Sequence, residues 1–280
     1  MTAVPSTGLP PGGRVLVTGG SGAIGAASAA ALHAAGYEVS ALDVAAAGPA
    51  PGIRHVPGDV RDLDLLLATL AGVDAVVHCG GLPSDRPGRE DELFAVNVAG
   101  TCTLLHAAVR CGVPRLVYLS SVNALGCVGA GRPRYLPVDD DHPHHPVSPY
   151  QLSKHLAEEA CRQVSAQHGL TTICLRPCYV THPDPSPRPA GPDADGLFAY
   201  VDLRDVTDAV RAALTADLTG FHALLLAAPD LWSGGDPART AAELHPDLPW
   251  RGSPDGGLVD CRPARRLLGW SARHRRPRTD

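Results

Sequence analysis

The stretch between Arg14 and Asp43 constrains the fold of this 280-residue chain more than any other. It begins with Arg14–Thr18, an apolar run that predicts a buried strand, and continues into a glycine-rich turn at residues 19–25. An alanine-rich segment with helical character follows and ends at Gly36, and residues 37–43 predict a second strand. The order strand, glycine turn, helix, strand is typical of a βαβ unit, and therefore of a parallel sheet covered by helices.

The glycine turn predicts a dinucleotide-binding site, because glycine lets the backbone approach a pyrophosphate while the next helix presents its unpaired N–H groups. Asp43 closes the second strand, 24 residues after Gly19, where a carboxylate can accept hydrogen bonds from an adenosine ribose. An anion there repels a 2′-phosphate, so we expect NAD rather than NADP. The cofactor residues of this unit are Gly19, Gly22, Ala23, Ile24, Gly25 and Asp43.

The alternation of strands and helices continues, which predicts an α/β fold of the Rossmann type: a doubly wound parallel sheet with right-handed crossovers. The expected strands after Asp43 are residues 53–56, 74–78, 115–120, 171–176 and 221–227. The expected helices are residues 62–70, 90–111, a helix that contains Tyr150, 201–214 and 262–268. Ligands bind beyond the carboxyl ends of such strands, where the glycine turn, Gly80-Gly81 and Ser120-Ser121 all fall.

No internal repeat or clear linker divides the sequence, so we expect one core with appendages. Residues 1–13 are predicted to be a mobile Pro/Gly arm and 14–176 an NAD-binding Rossmann core. Residues 177–280 are predicted to be a small substrate-binding region, interleaved with the last strand and helices of the core. The arm has no lysine, arginine or apolar segment of the kind found in signal peptides.

Charge and cysteine usage narrow the class of protein. A net charge of −5 argues against a general binder of nucleic acid or anionic membranes. Eight cysteines without a Cys-x-x-Cys pair fit reduced thiols in a cytoplasm better than disulfides or a zinc site. A cytoplasmic protein is therefore expected.

The single lysine of the chain marks a second candidate site. Against 23 arginines, Lys154 stands four residues after Tyr150, a spacing that puts both side chains on one face of a helix. A free phenol has a pKa of about 10 and is a poor base at neutral pH. A nearby fixed cation favours the phenolate and makes a tyrosine a usable acid/base. The alternative is an incidental pair on a solvated helix face.

Together these motifs resemble the extended short-chain dehydrogenase/reductase family, in its NAD-dependent epimerase/dehydratase group, from about Arg14 onward. The motifs are Thr18-Gly19-x-x-Gly22-x-x-Gly25, Asp43, Asp59-Val60, His78 with Gly80-Gly81, Asn97, Ser120-Ser121, Tyr150-x-x-x-Lys154 and Tyr200-Val201-Asp202. The resemblance implies that Tyr150 is the acid/base and that Lys154 holds the nicotinamide ribose and lowers the tyrosine pKa. It places the catalytic hydroxyl on Ser121, with Ser120 second.

The resemblance also implies further contacts. Its cofactor residues outside the βαβ unit are Asp59 and Val60 on the adenine, Cys79, Gly80, Gly81, Asn97, Tyr150, Lys154 and Pro177. Its substrate residues are Ser84, Ser121, Asn123, Tyr150 and Arg176. Three of these have structural alternatives: Asp59 as a helix N-cap, Asn97 as an ordinary helix residue, and Arg176 as a strand-end ion pair. A homodimer through the helices near 90–111 and 149–168 is expected on the same basis.

Departures from the group's pattern narrow the expected reaction. Sugar-nucleotide dehydratases carry Asp-Glu after the catalytic hydroxyl, where this chain has Val122-Asn123. Epimerases that work through an enolate use a second cysteine or lysine base, and this chain has no second lysine. The chain is also shorter than that group usually runs, which leaves little structure to grip a nucleotide diphosphate. The shorter members it resembles include uronate dehydrogenases, in which an arginine at the position of Arg176 meets a carboxylate.

We therefore expect an NAD-dependent oxidoreductase that acts on a secondary alcohol or hemiacetal of a small sugar, sugar acid or polyol. A sugar or nucleotide-sugar 4-epimerase with a tightly held cofactor is the alternative, and a nucleotide-sensing protein without chemistry is a third reading. No metal site is expected, because His142, His144 and His145 lie among prolines and aspartates in a loop.

Overall fold

Seven parallel strands form the central sheet of the protein. The computed structural model describes residues 8–45, 50–183, 191–252 and 256–275. The strands are β1 (Arg14–Thr18), β2 (Glu38–Asp43), β3 (Arg54–Pro57), β4 (Ala75–His78), β5 (Arg115–Leu119), β6 (Thr171–Pro177), β7 (Tyr179–Thr181), β8 (Tyr200–Asp202) and β9 (Phe221–Leu226). The main sheet has the order β3-β2-β1-β4-β5-β6-β9, and β7 and β8 form a separate parallel pair. The strand order reverses between β1 and β4, the position at which ligands bind in such sheets.

Helices cover both faces of this sheet. They are α1 (Ala23–Ala34), α2 (Leu63–Leu70), α3 (Glu90–Phe94), α4 (Thr101–Arg110), α5 (Pro149–His168), α6 (Leu203–Thr215), α7 (Pro237–Leu244) and α8 (Arg262–Leu268). On one face α1 and α6 bury side chains such as Leu32 and Val206 against the strands. On the other face α2, α4 and α5 bury Leu66, Leu104 and Ala157. Burial on both faces explains why the central strands β4, β5 and β6 are buried at every residue instead of at alternate ones.

The predicted doubly wound α/β fold is confirmed, with element bounds that agree within a few residues. The helix expected at 90–111 runs over Glu90–Arg110, and its segment Ala95–Gly100 is a π-helix. By length and composition alone this helix is apolar enough to cross a membrane, but Leu93 and Leu104 are buried against the protein core. Helix α7 and the β7–β8 pair were not predicted, and Val201 and Asp202, where we expected a helix to begin, belong to β8.

Residues 8–13 do not form the mobile arm that we expected. The amide of Leu9 donates to the carbonyl oxygen of Leu214 at 2.9 Å, and its own carbonyl accepts from the Tyr37 hydroxyl at 3.2 Å. The side chain of Leu9 also packs against the core. Backbone hydrogen bonds and one apolar side chain therefore fix this segment. Residues 1–7 of the same prediction lie outside the described residues.

A third apolar cluster joins the loop after β5 to the second half of the chain. Val122 and Leu125 pack there with Leu197 and Leu258. Val138 donates to the carbonyl of Leu258 at 2.9 Å, which ties the loop to the C-terminal region. Because α6 and β9 complete the main sheet, the second half of the chain contributes both to the core and to the wall beyond the strand ends.

Candidate active site

The glycine turn between β1 and α1 lies against the carboxyl end of β4. Gly19 has a φ of +67°, and a Cβ there would lie 2.7 Å from the backbone of Cys79 and Gly80. A Cβ on Gly25 would overlap the carbonyl oxygen of Gly19, so α1 can approach the turn only with glycine there. A Cβ on Gly22 would meet only that carbonyl, at 3.3 Å, which leaves the backbone of Gly22 open. A tight turn, an open backbone and close helix packing are the three roles of glycine in a dinucleotide turn.

Gly80 and Gly81, directly after β4, bring several predicted cofactor residues together. A Cβ on Gly80 would lie 3.1 Å from the side chain of Val60, and one on Gly81 would lie 3.0 Å from Asn97 and 3.8 Å from Lys154. The preceding thiol, Cys79, is not reactive, since burial raises its pKa to about 12. These positions therefore line one continuous wall beside the glycine turn.

Asp43 lies where the sequence placed it, at the end of β2 beside the glycine turn. One carboxylate oxygen accepts from the amide of Ser21 and the other from the amide of Ala45, both at 2.9 Å. These bonds fix the carboxylate at the turn and leave lone pairs on both oxygens. Asp43 can therefore accept hydrogen bonds from ribose hydroxyls.

Asp59 is not the helix N-cap that was one alternative for it. Asp62 has that role, because its side chain accepts from the amide of Leu65 at 3.0 Å. Asp59 instead holds the guanidinium of Arg61 at distances of 2.6–3.1 Å, and this hydrogen bonding lowers the Asp59 pKa. Arg61, the nearest candidate cation for the 2′-phosphate of NADP, is paired with Asp59 in this structure.

Ser121 and Tyr150 meet between the end of β5 and the start of α5. Helix α5 begins there because Ser148 accepts from the amide of Gln151 at 3.3 Å and Pro149 occupies the first helical position. The Ser121 side chain lies close enough to the Tyr150 phenol to affect its pKa, and its Oγ accepts from the amide and Nδ2 of Asn123, at 3.2 and 3.3 Å. The two hydroxyls can therefore face the same oxygen of a bound substrate.

Burial raises the pKa of Tyr150 to about 12, and the nearby Ser121 hydroxyl opposes that rise. The expected lowering by Lys154 is not seen. Lys154 lies on the same face of α5, but its Nζ donates to the carbonyl oxygen of Leu119 at 3.0 Å. Burial lowers the pKa of Lys154 to about 8. The ammonium is thus held by β5, one helical turn from the phenol.

Asn97 is a buried connector and not an ordinary helix residue. Its Oδ1 accepts from the amide of Leu82 at 2.7 Å, and its Nδ2 donates to the carbonyl of Leu82 at 3.1 Å and to Ser153 Oγ at 3.0 Å. Asn97 lies in the π-helical segment, a feature that is frequent at functional sites. It fixes the loop after β4 against the helix that carries Tyr150.

The same loop contributes Asp85, a residue that the sequence analysis missed. Its Oδ1 accepts from the backbone amide of Tyr150 at 2.7 Å. The neighbouring Ser84, a predicted substrate residue, is exposed. No motif marks an aspartate in a proline-rich loop. The only available signal was the N-terminus of the Tyr150 helix, which favours a carboxylate partner.

Arg176 forms a buried ion pair, which is the structural alternative considered for it. Its Nε and Nη2 donate to the carboxylate of Glu158 at 2.7–3.2 Å, and both side chains are 4% exposed. Its Nη1 donates to the carbonyl of Asp140 at 3.0 Å. Glu158 lies two turns beyond Tyr150 on α5, about 12 Å along the helix. The neighbouring Pro177, a predicted cofactor residue, is buried at the end of β6.

The histidine-rich loop is tied into the fold by hydrogen bonds. His142 Nε2 accepts from the amide of Arg134 at 2.9 Å, so its Nδ1 is the donor to the carbonyl of Pro143 at 3.0 Å. The Nδ1 atoms of His144 and His155 lie 2.8 Å apart. In the described part of the chain, no three His, Cys, Asp or Glu side chains are grouped as metal ligands.

Comparisons with known proteins agree with this geometry. A model of the NAD dependent epimerase/dehydratase family matches residues 15–194. A UDP-glucose 4-epimerase of Azospirillum brasilense is 33% identical over 183 residues, which cover 62% of this chain and 51% of that protein. Uronate dehydrogenase of Pseudomonas syringae pv. tomato is 29% identical over 168 residues, 59% of each chain. The chain thus spans about half to three fifths of the length of these curated relatives.

One solved structure bears on the length of the chain. MoeE5 in complex with UDP-glucose and NAD superposes with a TM-score of 0.74 at 27% identity, over 94% of each chain. Because the two chains are nearly equal in length, a chain of this size is long enough to bind a nucleotide sugar. The expectation that a short chain leaves too little structure for a nucleotide diphosphate is therefore wrong as a general argument.

Proposed function

Since the chain belongs to the NAD-dependent epimerase/dehydratase family and is an NAD-dependent enzyme, we propose that it is a dehydrogenase for a small carbohydrate. Its substrate carbon is a secondary alcohol or hemiacetal of a sugar, sugar acid or polyol. One observation carries the proposal: Ser121 lies close enough to the Tyr150 phenol to affect its pKa, and Lys154 follows one helical turn further, beside Gly81. The arrangement matches a general base and a hydroxyl that orients the reacting oxygen.

The residues at the strand ends fit NAD. The start of α1, which the missing side chain of Gly22 leaves uncovered, would hold the pyrophosphate, Asp43 would hold the adenosine ribose, and Lys154 would hold the nicotinamide ribose. When bound, NAD supplies the hydride acceptor. The buried Lys154 ammonium has no carboxylate within salt-bridge distance in the described part of the chain, so it is available to hydroxyls.

Tyr150 performs the proton transfer in this proposal. Its phenolate takes the proton of the substrate hydroxyl while Ser121 donates a hydrogen bond to the same oxygen. The amide and Nδ2 of Asn123 both donate to Ser121 Oγ, so that the serine proton is left to point at the substrate. In the reverse direction the Tyr150 phenol returns the proton to the carbonyl oxygen.

Net oxidation is favoured over elimination by the segment after Ser121. Val122 is buried, and Asn123 is engaged with Ser121 and with Gln151 at 3.4 Å. Neither side chain can act as the acid or base that removal of water requires. The second candidate is a 4-epimerase, which the relatedness to UDP-glucose 4-epimerases and the UDP-glucose complex of MoeE5 favour.

A substrate panel with excess NAD tests the proposal. Neutral sugars, polyols, sugar acids and UDP-sugars are incubated with the enzyme, NADH is followed by absorbance, and products are identified by NMR. Accumulation of NADH with an oxidised product supports the dehydrogenase. Stereochemical inversion with no net NADH promotes the epimerase, and absence of both in every sample removes the proposal.

We expect Asp43→Asn to reduce the preference for NAD over NADP. Two unit charges about 4 Å apart repel by about 4 kcal/mol at an effective dielectric constant of about 20, so the native carboxylate should disfavour the 2′-phosphate by about 10²–10³-fold. Calorimetric titration of both cofactors measures the ratio for each variant. Asp64→Asn, which removes a charge on α2, is the control. Equal NAD and NADP affinities in the native protein would contradict the assignment.

The homodimer expected from the family resemblance remains part of the proposal. Leu152 and Leu156 are one turn apart on α5 and are 38% and 39% exposed, which gives the helix an apolar outer stripe. Light scattering at micromolar concentration should show a dimer, and Leu156→Glu should convert it to a monomer. A native monomer at that concentration would remove the dimer from the proposal.

A further inference from the structure

Gln151 is buried in the first turn of α5, at a position that the Tyr150-x-x-x-Lys154 motif leaves open. Its side-chain Oε1 accepts from the backbone amide of Val147 at 2.8 Å, and its Nε2 donates to the carbonyl oxygen of Val128 at 2.8 Å. A backbone N–H can only donate and a carbonyl oxygen can only accept. These two partners therefore leave the side-chain amide of Gln151 a single orientation.

The second N–H of Gln151 Nε2 determines the orientation of the Asn123 side chain. Nε2 lies 3.4 Å from Asn123 Oδ1, which is long for a hydrogen bond. The opposite orientation of Asn123, however, would place two NH2 groups against each other, and both of these groups can only donate. Gln151 therefore keeps Asn123 Oδ1 on its own side, so that Asn123 Nδ2 is turned toward Ser121.

The Ser121 hydroxyl is the end of this chain of hydrogen bonds. Its Oγ accepts from the backbone amide and from the Nδ2 of Asn123, at 3.2 and 3.3 Å. A hydroxyl has two acceptor lone pairs and one proton, so these two donors leave Ser121 free to donate elsewhere. A reversed Asn123 amide would present Oδ1 to Ser121 and would compete for the serine proton. The direction in which Ser121 donates is thus set by Gln151.

We propose that Gln151 is a positioning residue for the reaction. It acts through Asn123 to keep the proton of Ser121 available to the reacting oxygen of the substrate. Asn123, which the family resemblance implies is a substrate residue, is thereby assigned to orienting the serine. The inference rests on the proposed hydride-transfer function and adds the residue that directs its second hydroxyl. It applies equally to epimerisation, because both reactions need the oxygen held beside Tyr150.

A purely structural role for Gln151 is the competing explanation, because its side chain joins the backbone of Val128 to that of Val147. The two explanations differ in what happens when the Ser121 hydroxyl is absent. A positioning residue that acts through Ser121 loses its effect in Ser121→Ala, whereas a structural effect on the site persists. A double-mutant cycle between the two positions measures this difference.

The experiment uses Gln151→Met, which keeps the length of the side chain and removes both polar groups. In the native background kcat should fall at least about tenfold, while KM and the NAD affinity measured by calorimetry change less than about twofold. In Ser121→Ala the same substitution should change kcat by less than about twofold. Gln163→Met, the same change at an exposed position of α5, is the control and should leave kcat at the native value. Equal losses of kcat in the two backgrounds would overturn the positioning role.

A second variant covers the case in which Gln151→Met does not fold. Asn123→Asp keeps an acceptor oxygen for Gln151 Nε2 but replaces the donor that faces Ser121 by an acceptor. Ser121 should then donate to the aspartate instead of the substrate, and kcat should fall at least about tenfold. The loss should be much smaller in Ser121→Ala. A native-like kcat in Asn123→Asp, or a loss that is equal in both backgrounds, would contradict the proposal.

A measurement without substrate separates the failure of this inference from the failure of the proposed function. NMR of the native protein should show nuclear Overhauser contacts between the Nδ2 protons of Asn123 and the β protons of Ser121, and Gln151→Met should remove them. Absence of turnover with every compound would remove the proposed function and leave this result standing. Contacts that are missing in the native protein, or that persist in Gln151→Met, would overturn the role of Gln151 whatever the reaction is.

Discussion

Tyr150→Phe should lower kcat/KM for oxidation by about 10²–10⁴-fold, the range expected when a positioned acid/base is removed. The change deletes one oxygen and keeps the ring, so α5 and its hydrogen bond to Asp85 should persist. NAD affinity, measured by calorimetry, should change little. Tyr37→Phe is the matched control, because its hydroxyl contacts Leu9 and lies outside the site. Turnover at the native rate in Tyr150→Phe would show that another group is the base.

The pH dependence of the native enzyme gives a second readout of the same assignment. Burial raises the pKa of Tyr150 to about 12, so the phenolate needed for oxidation is scarce at neutral pH and increases as the pH rises. Oxidation should therefore accelerate through the neutral and mildly alkaline range. Burial lowers the pKa of Lys154 to about 8, so its charge is lost as the pH rises further and the acceleration should weaken. Reduction, which uses the protonated phenol, should not show this rise.

The parts of the site that were predictable are those that local sequence dictates. The roles of Gly19 and Gly25 follow from a turn in which a Cβ would clash with the backbone, that of Gly22 follows from the open approach to the turn, and Asp43 follows from the length of one βαβ unit. The pairing of Tyr150 with Lys154 follows from the period of a helix. In each case the relevant partners are close in sequence or fixed by a regular element.

The parts that escaped prediction depend on which loop packs against which helix. The contact of Asp85 with Tyr150 joins residues 65 positions apart, and that of Arg176 with Glu158 joins residues 18 apart. Neither spacing is a period of any element. The expected lowering of the Tyr150 pKa was wrong for a related reason. The spacing placed Lys154 one turn away, but it did not reveal that the Leu119 carbonyl would hold the lysine ammonium. Burial therefore dominates the Tyr150 pKa, because the Lys154 ammonium faces another partner.

Arg176→Met should lower the free energy of unfolding by about 3–5 kcal/mol, because it leaves the buried carboxylate of Glu158 without its partner. Both side chains are 4% exposed, so little solvent reaches the pair. Glu158→Leu should be destabilising for the converse reason, since it strands a guanidinium. Urea denaturation followed by circular dichroism measures the unfolding free energies of the native protein and of the two single variants, and the double variant completes the thermodynamic cycle.

The double variant Arg176→Met with Glu158→Leu distinguishes a structural pair from a substrate contact. Replacing a buried ion pair by apolar side chains of similar volume is often neutral or stabilising, so the double variant should recover most of the stability that either single change removes. Because neither group reaches the Tyr150 phenol, its kcat/KM for neutral substrates should stay within about twofold of the native value. If Arg176 instead bound a substrate carboxylate, the double variant would be stable and yet lose KM selectively for sugar acids. That result would assign Arg176 to substrate binding, as the family resemblance implies, and would contradict a purely structural ion pair.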